Sequence, residues 1–174
     1  MLLSNKNIVI VGGTSGIGFS AASTFVNEGA NVIAIGRKPD RITKTKKILG
    51  NHGTAIQGNA ADSTTAQEGI QLAVDEYGSL HGLYHVAGGS GRGKGDGPLH
   101  EISDEGWDYT LSTNLDAVFY SNRAAIKQFL KQGDGGTILN MSSVLGFSPS
   151  SKYFATHAYA STKAAVIEIG RAHV

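Results

Sequence analysis

The sequence predicts an α/β protein: a Rossmann-type, doubly wound parallel sheet with helices on both faces, in three layers. Two observations predict this fold. Short apolar runs alternate with helix-forming stretches along the chain, which is typical of parallel strands joined by right-handed crossovers. The first apolar run, residues 8–11, passes directly into a glycine-rich turn at 12–18 and then into a helix-forming stretch. That order is typical of a turn that holds a phosphate group at the start of a helix.

In the first half of the chain, strands and helices are predicted to alternate. Apolar runs predict strands at 8–11 and 31–35, the second ended by Gly36, and a weaker strand at 54–57. A helix is predicted at 19–27, after the glycine-rich turn, and a second at 39–49, in a basic stretch. A third is predicted at 66–77, with Ser63 as its N-cap.

The second half begins with a predicted strand at 83–87 and a loop over 88–98, where six of eleven residues are glycine. Ser103 is predicted to cap a short helix, and a long helix follows at 113–132, ended by a glycine-rich stretch. A strand at 137–141, a loop at 142–156 and a last helix from about residue 157 complete the pattern. In such a fold the loops that follow the strands meet at one edge of the sheet, where ligands bind.

Composition indicates one globular domain over residues 1–174. The chain is 40% apolar, has a formal net charge of +1 and contains no cysteine. Balanced charge favours neither nucleic acid nor an anionic membrane as a partner, and no apolar run is long enough to cross a bilayer. No signal-peptide core precedes the first strand. We therefore expect a cytoplasmic protein with no disulfide, no membrane segment and no metal site.

The glycine-rich turn Gly12-x-x-x-Gly16-x-Gly18 is one residue looser than the dinucleotide fingerprint G-x-G-x-x-G. Glycines let the backbone turn sharply and approach a ligand closely. A turn with no ligand is the alternative in a chain with 24 glycines, but its place after the first strand favours a dinucleotide. A nucleoside-triphosphate loop is excluded because no Lys-Ser or Lys-Thr pair follows the last glycine.

The end of the second strand favours NADP over NAD. An acidic side chain that would bind a ribose 2′-hydroxyl is replaced here by Gly36, and Arg37 follows it. A guanidinium offers planar paired donors to a 2′-phosphate, and Lys38 and Arg41 add positive charge nearby. The alternative is a solvated basic turn.

Tyr159 and Lys163 are four residues apart on the last predicted helix, so they share one face. A nearby ammonium favours the ionised form of a phenol. Such a phenol can give a proton to a carbonyl oxygen or take one from an alcohol. A harmless surface pair at this spacing is the alternative.

Five segments in the same order resemble the short-chain dehydrogenase/reductase family, and together they span essentially the whole chain: 11–18, 85–88, 107–115, 140–143 and 159–163. The resemblance implies that Tyr159 is the general acid/base and that Lys163 tunes it and holds the nicotinamide ribose. It also implies that Ser143 hydrogen-bonds the substrate oxygen and that Asn114 keeps a water in the proton relay. Ser142 is a neighbouring rival of Ser143, and either serine could instead be an ordinary turn residue.

The resemblance also implies a set of cofactor contacts, with Asn59 and Ala60 at the adenine and the pair Ala87-Gly88 beside the adenosine ribose. The expected cofactor-binding residues are Gly12, Thr14, Ser15, Gly16, Ile17, Gly18, Arg37, Asn59, Ala60, Ala87, Gly88, Tyr159 and Lys163. Family members often form tetramers through their long helix and the tyrosine helix, so a homo-oligomer, tetramer or dimer, is expected.

The sequence departs from the family pattern at several positions. His85-Val86-Ala87-Gly88 stands where the family usually shows Asn-Asn-Ala-Gly, and His85 is expected to be a satisfied core histidine. Asn59 replaces a usual Asp, and the separation of Ser143 from Tyr159 is longer than is common. The chain ends at Val174, so the last strands of the family fold are expected to be missing, and either a truncated gene product or an incomplete gene model is expected.

The leading hypothesis is an oxidoreductase that transfers a hydride between NADP(H) and a carbonyl or secondary alcohol. Its support is the full set Asn114, Ser143, Tyr159 and Lys163. The alternative is a non-catalytic fragment that binds a dinucleotide weakly or pairs with a partner chain. A flavin- or NAD-binding regulatory domain is disfavoured, because it has no use for the tyrosine–lysine pair.

Overall fold

Five parallel strands form one sheet, in the order β3-β2-β1-β4-β5, in a computed structural model that describes residues 1–148 and 152–170. The strands are β1 (Asn7–Val11), β2 (Asn31–Gly36), β3 (Gly53–Gln57), β4 (Gly82–His85) and β5 (Thr137–Asn140). Every pairing is parallel, and β1 lies at the centre between β2 and β4. The predicted doubly wound α/β fold is confirmed.

Six α-helices connect and cover the strands: α1 (Gly16–Asn27), α2 (Pro39–Leu49), α3 (Thr65–Tyr77), α4 (Asp104–Leu111), α5 (Ala117–Gln132) and α6 (His157–Ile169). Short 3₁₀ turns occur at 50–52, 92–94, 99–101 and 144–146. No helix in the described part of the chain combines the length and apolar character that a membrane span requires.

The two faces of the sheet bury separate apolar layers, because side chains alternate along each strand. On β1, Val9 and Val11 face α3 and α5, where they pack with residues such as Leu83 and Phe129. The opposite face packs on α1 and α2, with a core of Ile8, Ile10, Ala22, Ala30, Val32, Ala34, Ile42, Leu49, Ala55 and Tyr84. The central strand is therefore apolar throughout, as a strand covered on both faces requires.

Several element ends differ from the sequence prediction; α1, for example, begins at Gly16 and not at residue 19. Two of the differences concern the N-cap of α3 and the end of β4. Thr64, and not Ser63, precedes α3, and it makes no side-chain cap; the predicted Ser63 cap is wrong. β4 ends at His85 and not at residue 87, because the amides of Val86 and Ala87 both donate to the Val11 carbonyl at 2.9 Å. That shared acceptor turns the chain away from the ladder. The predicted Ser103 cap is confirmed, since its Oγ accepts from the Gly106 amide at 3.0 Å.

The short and long helices predicted at 103 and 113 form one continuous helical segment. α4 runs into a π-helical turn, Ser112–Asp116, which leads directly into α5. A π turn inserts an extra residue into a helix and is frequent at functional sites. Asn114 lies inside this turn and is fully buried.

Candidate active site

A cavity of about 410 Å³ opens at the carboxyl ends of β1 to β4. It is lined by the four loops that follow these strands, in agreement with the site that the fold predicts. The structure brings eleven of the expected cofactor-binding residues to this cavity: Gly12, Thr14, Ser15, Gly16, Ile17, Gly18, Arg37, Asn59, Ala60, Ala87 and Gly88.

Close backbone packing explains the glycine at position 12. Gly12 has a positive φ of 91°, and a Cβ there would lie 2.7 Å from the backbone nitrogen of Ala87. The turn and the β4 exit therefore touch at backbone level. Ser15 at the N-cap of α1 makes no side-chain cap, so that side chain does not occupy the first amides of the helix. Free amides at a helix start favour an anion.

Gly36 has a packing reason that the sequence does not show. A Cβ at Gly36 would overlap the side chain of Thr14. An acidic residue is therefore excluded here by the contact with Thr14, whichever dinucleotide binds.

Three cationic side chains line the cavity just after the end of β2: Arg37, Lys38 and Arg41. All three are exposed, and among the residues described, no carboxylate lies within ion-pair distance of any of them. Their positive charge is therefore free to meet an anionic group in the cavity.

Tyr159 and Lys163 lie on the same side of α6, with the Lys163 Nζ 5.6 Å from the centre of the Tyr159 ring. Lys163 is only 4% exposed, and its Nζ donates to the Met141 carbonyl at 2.8 Å. Burial lowers the pKa of Lys163. An ammonium has three donors, so two remain for other acceptors.

Gly88 lies between the cavity and the polar side chains of Asn114 and Lys163. It lines the cavity, and a Cβ added to it would lie 2.7 Å from the Asn114 Oδ1 and 3.5 Å from the Lys163 Nζ. Only a residue without a side chain leaves room for both neighbours. The backbone beside the cavity therefore touches Asn114 and lies next to the Lys163 amine.

The Asn114 side chain is held on three bonds. Its Oδ1 accepts from the Gly89 amide at 3.1 Å, and its Nδ2 donates to the carbonyls of Gly89 at 3.0 Å and of Thr110 at 2.9 Å. The Thr110 bond is the one that a polar residue at a helix irregularity makes. The Gly89 bonds hold the π turn against the loop that joins β4 to α4, residues 86–103, called the β4–α4 loop below.

The two neighbouring serines have different partners. The Ser142 Oγ donates to the Lys163 carbonyl at 2.7 Å, whereas the Ser143 Oγ accepts from the Leu145 amide at 3.2 Å. Ser142 therefore holds the backbone of α6. Ser143 keeps its hydroxyl proton for another acceptor, because accepting a bond does not use it.

His85 is a core histidine, but only one of its ring nitrogens is satisfied. It is 1% exposed, its Nδ1 lies 2.7 Å from the Ser121 Oγ, and its Nε2 has no partner among the described residues. The prediction of a core histidine is confirmed, and the Ser121 hydroxyl satisfies its Nδ1. Burial, and secondarily the charge of Lys163, lower the pKa of His85 to about 4. His85 is therefore neutral at neutral pH.

Asp96 is a residue that the sequence interpretation missed. Of the acidic side chains that the structure describes, it alone is buried, at 5% exposure. Its carboxylate accepts from the amides of Ala158 and Tyr159, each at 3.0 Å. The available signal was one acid in a loop of glycines. Nothing in the sequence links that acid to a helix sixty residues later.

Comparison with known proteins places these features in context. The model of a family described as short chain dehydrogenase matches residues 6–173. An NADP-dependent (R)-specific alcohol dehydrogenase of Lentilactobacillus kefiri is 32% identical over 147 residues, which cover 83% of this chain and 57% of that protein. A 2,5-dichloro-2,5-cyclohexadiene-1,4-diol dehydrogenase of Sphingobium indicum is 33% identical over 168 residues, 94% of this chain and 64% of that protein.

A solved structure is similar over nearly the whole chain. The crystal structure of a short chain dehydrogenase from Mycobacterium smegmatis matches with a TM-score of 0.88 and 28% identity, covering 98% of this chain and 70% of that one. The chain spans less than two thirds of the length of the two curated relatives, 57% and 64%.

Proposed function

The chain belongs to the short-chain dehydrogenase family, and on that premise we propose that it transfers a hydride between NADP(H) and a carbonyl compound or secondary alcohol. One observation carries the proposal: the Lys163 Nζ lies 5.6 Å from the Tyr159 ring and beside Gly88, which lines the glycine-rich cavity. A phenol with an ammonium at this position suits proton exchange with a substrate oxygen.

The residues around the cavity fit a dinucleotide. At Gly12 and Gly88 the cavity is lined by backbone without side chains, because a Cβ there would collide with Ala87 or Asn114 respectively. The start of α1 suits a pyrophosphate. Asn59 and Ala60 would contact the adenine, and Ala87 and Gly88 would pass beside the adenosine ribose. Bound there, a nicotinamide supplies or accepts the hydride, and the protein supplies position and charge.

The remaining steps, proton transfer and stabilisation of the substrate oxygen, would be carried out by side chains of this protein. Tyr159 would give its phenolic proton to a carbonyl oxygen in reduction and would take a proton from the hydroxyl in oxidation. The Lys163 ammonium would stabilise the phenolate and hold the nicotinamide ribose hydroxyls. Ser143 would donate to the substrate oxygen. Asn114 would keep a water behind Lys163.

A titration of the purified chain with NADPH, followed by a panel of carbonyl compounds, tests this function. Saturable binding and NADPH consumption with at least one carbonyl support it. Absence of NADPH binding contradicts it.

A second candidate function is a non-catalytic one in which a partner chain pairs with the sheet. It is favoured by β5, which is bonded only to β4 in the described sheet, and by Leu139 on that strand, which is 54% exposed. An open sheet edge is a template for pairing with another chain. NADPH binding with no turnover across the carbonyl panel would favour this second function.

Arg37 is expected to select NADPH over NADH. Replacing Arg37 with alanine should weaken NADPH binding by about tenfold to a hundredfold, because a charged hydrogen bond contributes about 1.5–3 kcal/mol. NADH, which lacks the 2′-phosphate, should bind the variant about as it binds the wild type. Fluorescence titration with both cofactors measures the effect.

Lys47→Ala is the matched control for Arg37→Ala. Lys47 lies on α2, the helix that begins two residues after Arg37; it is exposed and does not line the cavity. It removes the same charge at a greater distance from the proposed phosphate site. Equal wild-type affinities for NADPH and NADH would contradict the assignment of Arg37 to the 2′-phosphate.

A further inference from the structure

The β4–α4 loop provides hydrogen-bond acceptors for the first backbone amides of α6, the helix that carries Tyr159. The carboxylate of Asp96 accepts from the amides of Ala158 and Tyr159 at 3.0 Å, and the Gly97 carbonyl accepts from the His157 amide at 3.2 Å. The N-cap residue of α6, Thr156, makes no side-chain cap. The first amides of a helix need external acceptors, and here a distant loop provides three of them.

Asp96 is itself held firmly in place. Its amide donates to the Gly91 carbonyl at 3.1 Å. Next to it, Gly95 packs directly on α4, where a Cβ at Gly106 would lie 2.7 Å from the Gly95 Cα. The carboxylate is therefore presented from a loop that is fixed against the helix beside it.

The same loop also holds Asn114. Gly89, seven residues before Asp96, exchanges two hydrogen bonds with the Asn114 side chain. One short segment thus connects the π turn at one end with the start of α6 at the other. That segment therefore links Asn114 to the backbone of Tyr159, in addition to the direct packing of α6 on α4 and on the π turn.

We propose that Asp96 is a positioning residue for the hydride-transfer reaction: it sets where Tyr159 stands relative to Asn114 and the cavity. This inference rests on the proposed function. Asp96 binds the backbone of Tyr159 and not its phenol, so it acts through Tyr159. Charge-assisted bonds to two amides are strong and directional. Their loss leaves the buried Ala158 amide and the half-buried Tyr159 amide without this acceptor. The first turn of α6 is then free to shift.

Two substitutions at Asp96 test the proposal. Asp96→Asn keeps an acceptor for one amide, and Asp96→Ala keeps none. We expect kcat to fall about tenfold in Asp96→Asn and about a hundredfold in Asp96→Ala, since a misplacement near 1 Å costs rates of that order. The Kd for NADPH should change by less than about twofold, because the cavity lining includes no residue of the first turn of α6 and Lys163 is also held by the Met141 carbonyl.

Asp104→Asn is the matched control, because Asp104 is an exposed acid in the first turn of α4, eight residues away. It should keep wild-type kcat. Wild-type kcat in Asp96→Ala would overturn the proposal, and so would a loss of kcat matched by an equal loss of NADPH affinity. If Asp96→Ala does not fold, Asp96→Asn decides by the same criteria.

Amide hydrogen exchange separates this inference from the proposed function, because it needs no substrate. In Asp96→Asn, amides at 157–160 should exchange faster than in the wild type, while those of α1 should not change. Unchanged exchange at 157–160 overturns the positioning role even if the wild type is active. A wild-type chain without turnover overturns the proposed function and the catalytic consequence together, and exchange then reports only whether Asp96 holds the helix.

Discussion

Replacing Tyr159 with phenylalanine is expected to lower kcat by roughly 10²- to 10⁴-fold, the range that general acid–base catalysis contributes. The substitution removes one oxygen from a half-buried ring. It leaves the backbone of Tyr159, which the Asp96 carboxylate binds, unchanged. The lysine amine and the glycine-lined cavity also stay in place, so the Kd for NADPH should remain close to that of the wild type.

Steady-state kinetics with the best carbonyl substrate, together with an NADPH fluorescence titration, measure this result. Tyr153→Phe is the matched control, because it makes the same chemical change on an exposed ring six residues earlier. It should keep wild-type kcat. Retained turnover in Tyr159→Phe would remove Tyr159 from the proton-transfer role.

His85 is expected to make the fold sensitive to acid. Its pKa is about 4 in the folded protein and near 6.5 when unfolded. The folded pKa is the lower one, so the unfolded chain binds the proton more readily between these values, and stability falls as the pH is lowered through that window. The loss amounts to about 3 kcal/mol of unfolding free energy between pH 6.5 and 4.

Urea denaturation from neutral pH down to about pH 4 measures this loss. His85→Asn should lose about 3 kcal/mol less than the wild type over the interval, because it carries no titrating ring there. His52→Asn is the control, since His52 is exposed. Parallel stability curves for the wild type and His85→Asn would contradict the assignment of this acid sensitivity to His85.

The local part of the site could be predicted from sequence because it depends on short separations. The order strand, glycine-rich turn, helix is a matter of consecutive residues, and the structure places 12–18 as that order requires. Tyr159 and Lys163 are four residues apart, so the pitch of a helix brings them together without help from other elements. The cations Arg37, Lys38 and Arg41 follow β2 directly and therefore reach the carboxyl edge with it.

Features that depend on a distant partner were predicted wrongly or missed. The acceptor that Val86 and Ala87 share, the Val11 carbonyl of β1, ends β4 early and comes from a residue about 75 positions earlier in the chain. Ser142 bonds to the carbonyl of Lys163, which separates its role from that of Ser143. Each of these outcomes is decided by an atom that belongs to another element.

The fold class, the order of strands and helices, and the residues that follow each strand could be predicted from the sequence, since they come from periodicity and from turn-forming residues along the chain. The packing of Gly36 against Thr14, the π turn around Asn114 and the bonds from Asp96 to the start of α6 are visible in the folded molecule alone. Close packing and hydrogen bonds to buried polar groups both join residues that are far apart in the chain, so a reading of neighbouring residues does not find them.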